Sequence, residues 1–355
     1  MEYTNLGSSG LKISKVIFGC MSFGSSKWQD WVLDEEAALP LLKHAYDVGL
    51  NTWDTADVYS HGESERIIAK ALKQYSIPRN RIVLLSKCYF GVADDGSQPA
   101  ISAISSNDGE MVNRVGLSRK HILDAVDASV ERLGTYIDVL QIHRLDRETN
   151  REEIMRALND VVESGKVRYI GASSMAAWEF QTLQNIADRK GWHKFISMQN
   201  YYNLLYREEG MILPKREESG RNGEREANEV TENEMIPYCN DSGVGLIPWS
   251  PIARGALARP FNNRDTLREK SDNFMSNLIR KTETETDHTI VDRVEELSKK
   301  RGVSMTTIAT AWCLSKKGVN PIVGLSSTDR IDSAVAAVKW VKEVLQASPS
   351  LIPCP

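Results

Sequence analysis

Apolar residues along this chain follow two alternating patterns, one of short β-branched runs and one of longer stretches with helical spacing. The clearest helix covers residues 118–133, where Ser118 is the predicted N-cap and Gly134 ends the apolar face. The predicted strands are residues 16–19, 51–54, 82–86, 137–142, 167–171, 195–198, 244–247 and 321–323. The predicted helices are residues 35–48, 64–74, 118–133, 151–164, 176–189, 232–241, 289–301 and 306–315.

This alternation of strands and helices predicts a parallel sheet with helices packed against it. The pattern runs through about eight strand–helix units without a break, which favours closure into one (β/α)8 TIM barrel over an open sheet. No GxGxxG fingerprint and no Walker A loop is present, which argues against a Rossmann or P-loop domain. We therefore predict an α/β protein with a single barrel domain over residues 1–355.

Two polar stretches interrupt the alternation, residues 90–116 and residues 208–233. Long loops of barrels usually belong to the catalytic face or are disordered. For the second stretch three interpretations stay open: a lid that follows the sixth strand, a disordered insertion, and a translated intron. The intron hypothesis rests on codons alone, because Gly210-Met211 permits a splice-donor form and Ala227-Asn228 permits a branch-point form.

Composition narrows the function classes. Lys and Arg total 44 against 48 Asp and Glu, so no basic excess points to nucleic acid or to an anionic membrane. No apolar run reaches the roughly 18 residues of a membrane span. The 5 cysteines are scattered and form no CxxC pair, which argues against a disulfide framework or a zinc site. We expect a cytoplasmic protein without a signal peptide, monomeric or a small homo-oligomer.

Four titratable residues follow consecutive predicted strands: Asp54, Tyr59, Lys87 and His143. Each alone has an ordinary structural explanation, but strand ends of a barrel converge on one central site. A carbonyl that receives hydride needs a proton donor, and an ammonium beside a tyrosine lowers the pKa of its hydroxyl. We assign Tyr59 as general acid, Lys87 as the cation that tunes it, Asp54 as the partner of Lys87, and His143 as the group that orients the carbonyl.

Sequence blocks around these residues resemble the aldo-keto reductase superfamily over residues 16–338, in its aryl-alcohol dehydrogenase-like and versiconal hemiacetal acetate reductase-like branch. The blocks are NTWDTADVYSHGESERIIAKAL, LSKCYF, DVLQIHRLD, GKVRYIGASS, QNYYNLLYRE, GLIPWSPIARG and PIVGLSS. The resemblance implies a (β/α)8 barrel that binds NADP(H) without a Rossmann domain and transfers hydride reversibly to an aldehyde or ketone. It implies no metal, and NAD(H) stays open as an alternative cofactor.

The resemblance also assigns cofactor contacts. The residues expected at the nicotinamide end are Gly19, Met21, Asp54, Ser173, Ser174, Gln199 and Trp249, with the ring of Trp249 stacked on the nicotinamide. The residues expected around the pyrophosphate are Ser250, Ile252, Arg254 and Gly255. The residues expected at the adenosine end are Gly324, Ser326, Ser327 and Arg330. Many relatives have Asn where this chain has Ser174. Many also have Lys or Arg where this chain has Ser327, so we expect Arg330, one helical turn on, to supply the charge for a 2′-phosphate.

Two functions from different classes compete at this point. The first is an active carbonyl reductase, for which Trp28, Trp31, Tyr89 and Phe90 indicate aryl or polyketide-like substrates, although ordinary packing explains those residues equally well. The second is a weakly catalytic or non-catalytic NADP(H)-binding regulatory subunit, like the reductase-fold β subunits of potassium channels, which retain the same four residues. A barrel silenced by its own insertion is a third interpretation.

Overall fold

A sheet of eight parallel strands forms the centre of the molecule in a computed structural model, which describes residues 1–94, 107–207, 231–272, 281 and 283–351. The strands of this sheet are β3 (Ile17–Gly19), β4 (Thr52–Asp54), β5 (Val83–Cys88), β6 (Ile137–Ile142), β7 (Val167–Ser173), β8 (Phe195–Gln199), β9 (Gly245–Leu246) and β10 (Ile322–Gly324). Their order in the sheet is β10-β3-β4-β5-β6-β7-β8-β9, so neighbours along the chain are neighbours in space.

The two ends of this sheet meet and close it. The amide of Leu246 donates to the carbonyl of Gly318 at 3.1 Å, and the carbonyl of Leu246 accepts from the amide of Asn320 at 2.8 Å. Above them the amide of Ile322 donates to the carbonyl of Pro248 at 2.8 Å. These bonds join the segments of β9 and β10, so the predicted (β/α)8 barrel is confirmed.

A hairpin that the sequence pattern did not predict lies before the barrel. Its strands are β1 (Tyr3–Asn5) and β2 (Lys12–Ser14), which pair antiparallel. Buried Leu6 and Ile13 pack with interior barrel residues such as Ile17 and Val83, so the hairpin covers the amino-terminal end of the barrel. Gly7 allows this approach, because a β-carbon there would lie 2.3 Å from the carbonyl oxygen of Gly243.

Helices surround the barrel over the described residues. They are α1 (Glu35–Asp47), α2 (Glu63–Gln74), α3 (Arg119–Leu133), α4 (Arg151–Glu163), α5 (Ala177–Lys190), α6 (Ile236–Ser242), α7 (Leu267–Ser271), α8 (Glu285–Arg301), α9 (Met305–Leu314), α10 (Thr328–Ala336) and α11 (Val341–Leu351). Ser118 caps α3 as predicted and Gly134 ends it in the left-handed conformation. None of the described helices is long and apolar enough to cross a membrane.

Helix α8 begins four positions before the predicted start at residue 289, because Thr284 and Asp287 form a capping box there. The prediction missed the last two helices, α10 and α11, as well as short α7. The first of these, α10, begins at a cap too, since the hydroxyl of Ser327 accepts from the amide of Arg330. The starts of α8, α10 and α7 thus follow from a side chain that binds the first turn, which apolar periodicity does not reveal.

Alternation along the strands decides which side chains enter the barrel. On β5, Leu84 packs outward against the helices, whereas Val83 and Leu85 belong to the interior cluster. The same period of two turns Lys87 inward, above Leu85. The register pairs Lys87 with Gln141 on β6, so two polar side chains stand side by side at the carboxyl end of the barrel.

Residues 208–230 lie outside the described part of the chain, so the lid, the disordered insertion and the translated intron all stay untested. Glu232, just after these residues, pairs with Arg207, just before them, at 3.3 Å and with Lys316 at 3.2 Å. The hydroxyl of Tyr202 donates to the same carboxylate. The described chain on either side of residues 208–230 therefore meets at one half-buried ionic cluster.

Candidate functional site

Lys87 is the central residue of the site, and it is fully buried at the carboxyl end of β5. Its ammonium donates to the Asp54 carboxylate at 2.6 Å, to the backbone carbonyl of Thr55 at 2.8 Å and to the Tyr59 hydroxyl at 3.2 Å. An ammonium has three N–H donors, so all of them are satisfied without water. Three of the predicted catalytic side chains are thus in direct contact.

Two side-chain amides bind the second oxygen of Asp54, and neither was predicted as part of the catalytic group. Gln141 and Gln199 donate to it at 3.0 and 2.9 Å. Gln141 was not predicted as a site residue. It lies on β6, two residues before His143, and this even spacing, which turns both side chains to the same face, was the signal that could have identified it.

Burial and charge act in opposite directions on the ionisable groups of this cluster. Burial alone would lower the pKa of Lys87, but Asp54 and Tyr59 outweigh it and raise that pKa. Burial raises the pKa of Tyr59, and the lowering by Lys87 does not fully offset it. The expected tuning by Lys87 is therefore present, but the net direction for Tyr59 is upward and the hydroxyl keeps its proton at neutral pH.

His143 follows β6 and lies beside the tyrosine. The rings of His143 and Tyr59 meet edge to face with their centres 5.9 Å apart, and Phe90 contacts the other side of the imidazole at 5.0 Å. Burial, Lys87 and Arg144 hold the pKa of His143 well below its usual value. The imidazole is therefore neutral, and it offers one N–H donor and one acceptor.

Tyr59 stands at the start of a short turn, Tyr59–Gly62, whose next two residues have left-handed backbone conformations. Ser60 has φ 50° and His61 has φ 51°, which is uncommon for residues that carry a β-carbon. The hydroxyl of Ser60 accepts from the amide of Ser25 at 3.2 Å, and Nδ1 of His61 accepts from the amide of Ala93 at 3.2 Å. Bonds from two neighbouring loops thus hold a strained turn that fixes the tyrosine.

A cavity of about 330 Å³ opens in front of these groups. Its wall near Tyr59 and His143 is aromatic, with Trp28, Trp31 and Phe90. Tyr89, also considered at the sequence level, packs against Phe90 with ring centres 5.0 Å apart and stands behind that wall. The groups in contact with the cavity can donate a proton from Tyr59, hold a carbonyl oxygen and enclose a flat, apolar substrate.

A model of the aldo/keto reductase family matches residues 15–348, which covers the barrel and every residue of the site. The chain belongs to the aldo/keto reductase family. A versiconal hemiacetal acetate reductase from Aspergillus parasiticus is 65% identical over 340 residues, which span 96% of this chain and 93% of that protein. A putative aryl-alcohol dehydrogenase from Schizosaccharomyces pombe is 53% identical over 346 residues, which span 95% and 91% of the two chains.

As an aldo/keto reductase the protein is an oxidoreductase of a family that acts on carbonyl compounds and generally uses nicotinamide cofactors. The structure brings most of the predicted cofactor residues to the wall of the large cavity or of a second cavity beside it. Those in the walls are Gly19, Met21, Asp54, Ser173, Gln199, Trp249, Ser250, Ile252, Arg254, Gly255, Gly324, Ser326 and Arg330. Ser174 and Ser327 do not line either cavity.

The second cavity, of about 230 Å³, shares Ile252, Arg254 and Gly324 with the first, so the two form one elongated space. Four arginines line it: Arg254, Arg259, Arg268 and Arg330. Arg259 and Arg268 were not predicted, because they belong to the segment after β9, where no sequence block pointed to them. A space with an aromatic end and a guanidinium-rich end fits the shape and charge of a dinucleotide.

Four of the predicted cofactor residues contact other groups of the protein. Arg254, expected on a phosphate, pairs with Asp272 at 2.7 Å, and Arg268 donates to the same carboxylate at 3.1 Å. Trp249 stacks on Tyr201 with ring centres 4.4 Å apart, so Tyr201 supports the indole from one side. Ser327 is used as the cap of α10, and Arg330 donates to Ser326 at 2.6 Å.

The segment after β9 has unusual backbone geometry where it borders the cavity. Ser250, Ala253 and Arg254 all have positive φ, between 47° and 55°. Such conformations cost free energy and cluster where a backbone must approach a ligand. Within the described residues no cluster of His, Cys, Asp and Glu has the arrangement of a metal site.

The buried ion pair predicts a specific stability pattern. Lys87→Met leaves the Asp54 carboxylate buried without its cation, and we expect the free energy of unfolding to fall by about 3–5 kcal/mol. Adding Asp54→Asn should recover much of this loss, because a neutral amide oxygen still accepts from Gln141 and Gln199. Urea denaturation of the single and double variants measures both values.

The control for this experiment is Lys43→Met, which removes an exposed lysine paired with Asp47 one turn away. It should change the free energy of unfolding by less than about 0.5 kcal/mol. A double variant as unstable as Lys87→Met would show that the loss comes from packing of the lysine side chain and not from the unpaired carboxylate.

Proposed function

We propose that this protein is an NADP(H)-dependent reductase that converts aldehydes or ketones to alcohols, with Tyr59 as the general acid. The observation that carries the proposal is the Lys87 ammonium, which bridges the Asp54 carboxylate and the Tyr59 hydroxyl at the aromatic end of the cavity. A tyrosine hydroxyl bonded to a buried cation is well placed to give up its proton, because the cation stabilises the phenolate that remains.

A nicotinamide cofactor held by wall residues such as Trp249 and Ser250 would supply hydride to the carbonyl carbon of the substrate. Negative charge then develops on the carbonyl oxygen, and Tyr59 donates its proton to that oxygen, which leaves a phenolate. Lys87 stabilises the phenolate and Asp54 keeps Lys87 charged within the barrel. His143, held neutral, donates a hydrogen bond that orients the oxygen toward Tyr59. The reverse sequence oxidises an alcohol.

The substrates we propose are aromatic aldehydes or ketones. Trp28 and Phe90 are wall residues of the cavity, and Trp28 lies 6.4 Å from Tyr59 between ring centres. Flat aromatic substrates match such walls through edge and face contacts. The similarity to a versiconal hemiacetal acetate reductase and to a putative aryl-alcohol dehydrogenase supports this choice.

We propose NADP(H) as the cofactor over NAD(H) because of the charge at the far end of the space. Arg330 is exposed at the rim of the second cavity, and Arg259 lines its wall. A 2′-phosphate is a doubly charged ligand that bidentate guanidinium groups bind well. The cytoplasmic location, the single domain and the monomeric or small homo-oligomeric state stay predictions.

Removal of the Tyr59 hydroxyl tests the proposed function. Tyr59→Phe keeps the ring and its contacts, so we expect NADPH to bind as in the wild type while kcat falls by about 10²–10⁴-fold. NADPH consumption with 4-nitrobenzaldehyde measures turnover, and quenching of protein fluorescence measures binding.

The matched control is Tyr89→Phe, whose ring stands behind the cavity wall and carries no proposed proton. Turnover retained in Tyr59→Phe would reject this proton donor. Tight NADPH binding by the wild type without turnover of any carbonyl compound would instead support the regulatory-subunit alternative.

The direction of the pKa shifts predicts the pH profile of kcat/KM. Reduction needs protonated Tyr59, whose pKa is raised, so the rate should fall only in the alkaline range. Because the pKa of His143 is lowered, no inflection should occur near the ordinary imidazole value of about 6.5. Alcohol oxidation needs the phenolate and should rise with pH. An inflection near pH 6.5 in the reduction profile would show that His143 titrates.

The cofactor preference depends on Arg330 in this proposal. Arg330→Ala should raise the Kd of NADPH by about tenfold and change the Kd of NADH by less than about twofold, because only NADPH carries the 2′-phosphate. The control Arg301→Ala removes another exposed arginine that lines neither cavity. Equal increases in the Kd values of NADPH and NADH would place Arg330 at the pyrophosphate. If neither Kd changes, Arg330 contacts no part of the cofactor.

A further inference from the structure

Trp249 lines the large cavity, and the turn that follows β8, residues 200–206, supports its indole ring. The rings of Trp249 and Tyr201 are stacked, with their centres 4.4 Å apart and their planes at 27° to each other. The ring of Tyr206 also lies against Tyr201, with centres 4.8 Å apart. Three aromatic rings thus form one cluster beside the cavity, and the indole is the member that borders it.

Hydrogen bonds join this turn to the segment that carries the indole. The amide of Trp249 donates to the carbonyl of Asn200 at 2.9 Å. The side-chain amide of Asn203 donates to the carbonyl of Ser250 at 3.2 Å. Asn203 and Tyr206 exchange two backbone hydrogen bonds, at 3.0 and 3.1 Å, which close the turn. The backbone therefore fixes where the two stacked rings meet.

Burial differs between the two stacked rings. Tyr201 is buried and lines neither cavity, whereas Trp249 is half-buried and lines the large one. The residue after the indole, Ser250, has φ 55°, so the chain turns sharply at the cavity wall. An aromatic side chain in such a place is held by the ring stacked on it, and Tyr201 supplies that ring.

We propose that Tyr201 is a positioning residue for hydride transfer, because it holds the Trp249 indole in the plane in which that indole stacks on the nicotinamide ring. The inference rests on the proposed reductase function and deepens it. Hydride transfer needs its two reacting carbons in a defined geometry, and a misplacement of about 1 Å can lower a rate by about 10²-fold. Tyr201 acts through Trp249 and touches neither the substrate nor the reacting atoms.

The test removes the stacked ring and measures the contact between indole and cofactor separately from turnover. An indole in face-to-face contact with an oxidised nicotinamide gives a charge-transfer absorption, which a difference spectrum at saturating NADP⁺ records. We expect the wild type and Tyr201→Phe to show this absorption and Tyr201→Leu to lose most of it, because leucine fills the space without a ring that stacks.

Stopped-flow oxidation of NADPH by 4-nitrobenzaldehyde measures the rate of hydride transfer in the same variants. That rate should be about tenfold lower in Tyr201→Leu than in the wild type, since the nicotinamide is then less well placed. The Kd of NADP⁺ should change by less than about threefold, because the charged contacts to the phosphates remain. An unchanged absorption and an unchanged rate in Tyr201→Leu overturn the proposal.

The matched control is Tyr202→Leu, at the next residue of the chain. Tyr202 stacks on Trp312 with ring centres 5.2 Å apart and planes at 28°, and neither residue lines a cavity. We expect this variant to unfold at a lower urea concentration, yet to keep the charge-transfer absorption and the rate per folded enzyme. Losses in Tyr202→Leu equal to those in Tyr201→Leu would show that any loss of aromatic packing slows the enzyme, which overturns the proposal.

Tyr206 provides a second variant, for which the buried ring stays in place. Its side chain is only half-buried, so the fold tolerates Tyr206→Leu even if Tyr201→Leu does not fold. Loss of its contact with Tyr201 should lower the absorption and the rate in the same direction by a smaller factor, about twofold to threefold. If Tyr201→Leu does not fold, an unchanged absorption and rate in Tyr206→Leu overturn the proposal.

Failure of the inference and failure of the proposed function give different results. Full absorption and full rate in Tyr201→Leu refute the role of Tyr201 but not the reductase. If the wild type shows the absorption with NADP⁺ but reduces no aldehyde, the reductase fails, while loss of the absorption in Tyr201→Leu still supports the positioning of the indole. A wild type that binds NADP⁺ without this absorption overturns the inference, because Trp249 then does not stack on the nicotinamide.

Discussion

The buried ammonium of Lys87 constrains everything around it. A charge inside a barrel is tolerated only when its donors are satisfied, and here the acceptors come from a carboxylate, a backbone carbonyl and a phenol. The second oxygen of Asp54 in turn accepts hydrogen bonds, which the side-chain amides of Gln141 and Gln199 donate from two further strands. The upper core of the barrel and the proposed catalytic site are therefore one hydrogen-bonded network.

Most of the barrel could be predicted from the sequence because its strands and helices repeat one physical pattern. Buried parallel strands are short apolar runs, and the helices between them bury one face. The grouping of Asp54, Tyr59, Lys87 and His143 could also be predicted, since each stands at or just after the end of a strand and strand ends of a barrel converge. Their mutual contacts confirm that they lie together, whereas their chemical roles stay proposals.

The features that sequence did not reveal depend on contacts between distant residues. The amino-terminal hairpin is recognisable only through Leu6 and Ile13, which fill the closed end of the barrel. Asp272 and Arg268, at the end of short helix α7, meet Arg254 across a stretch of chain that has no sustained apolar periodicity.

Two cations near the cavities, Lys87 and Arg268, have pKa shifts of opposite direction. Lys87 has an acceptor for each of its donors and keeps a raised pKa, which suits a group that must hold its charge while a proton leaves its neighbour. Burial and the charge of Arg254 lower the pKa of Arg268 to about 10, even though Asp272 opposes them. Guanidinium groups crowded in this way are destabilised by their own repulsion, and an anionic ligand relieves it. The first arrangement suits proton transfer and the second suits binding of phosphates. The proposed chemistry and the proposed cofactor affinity therefore depend on different residues.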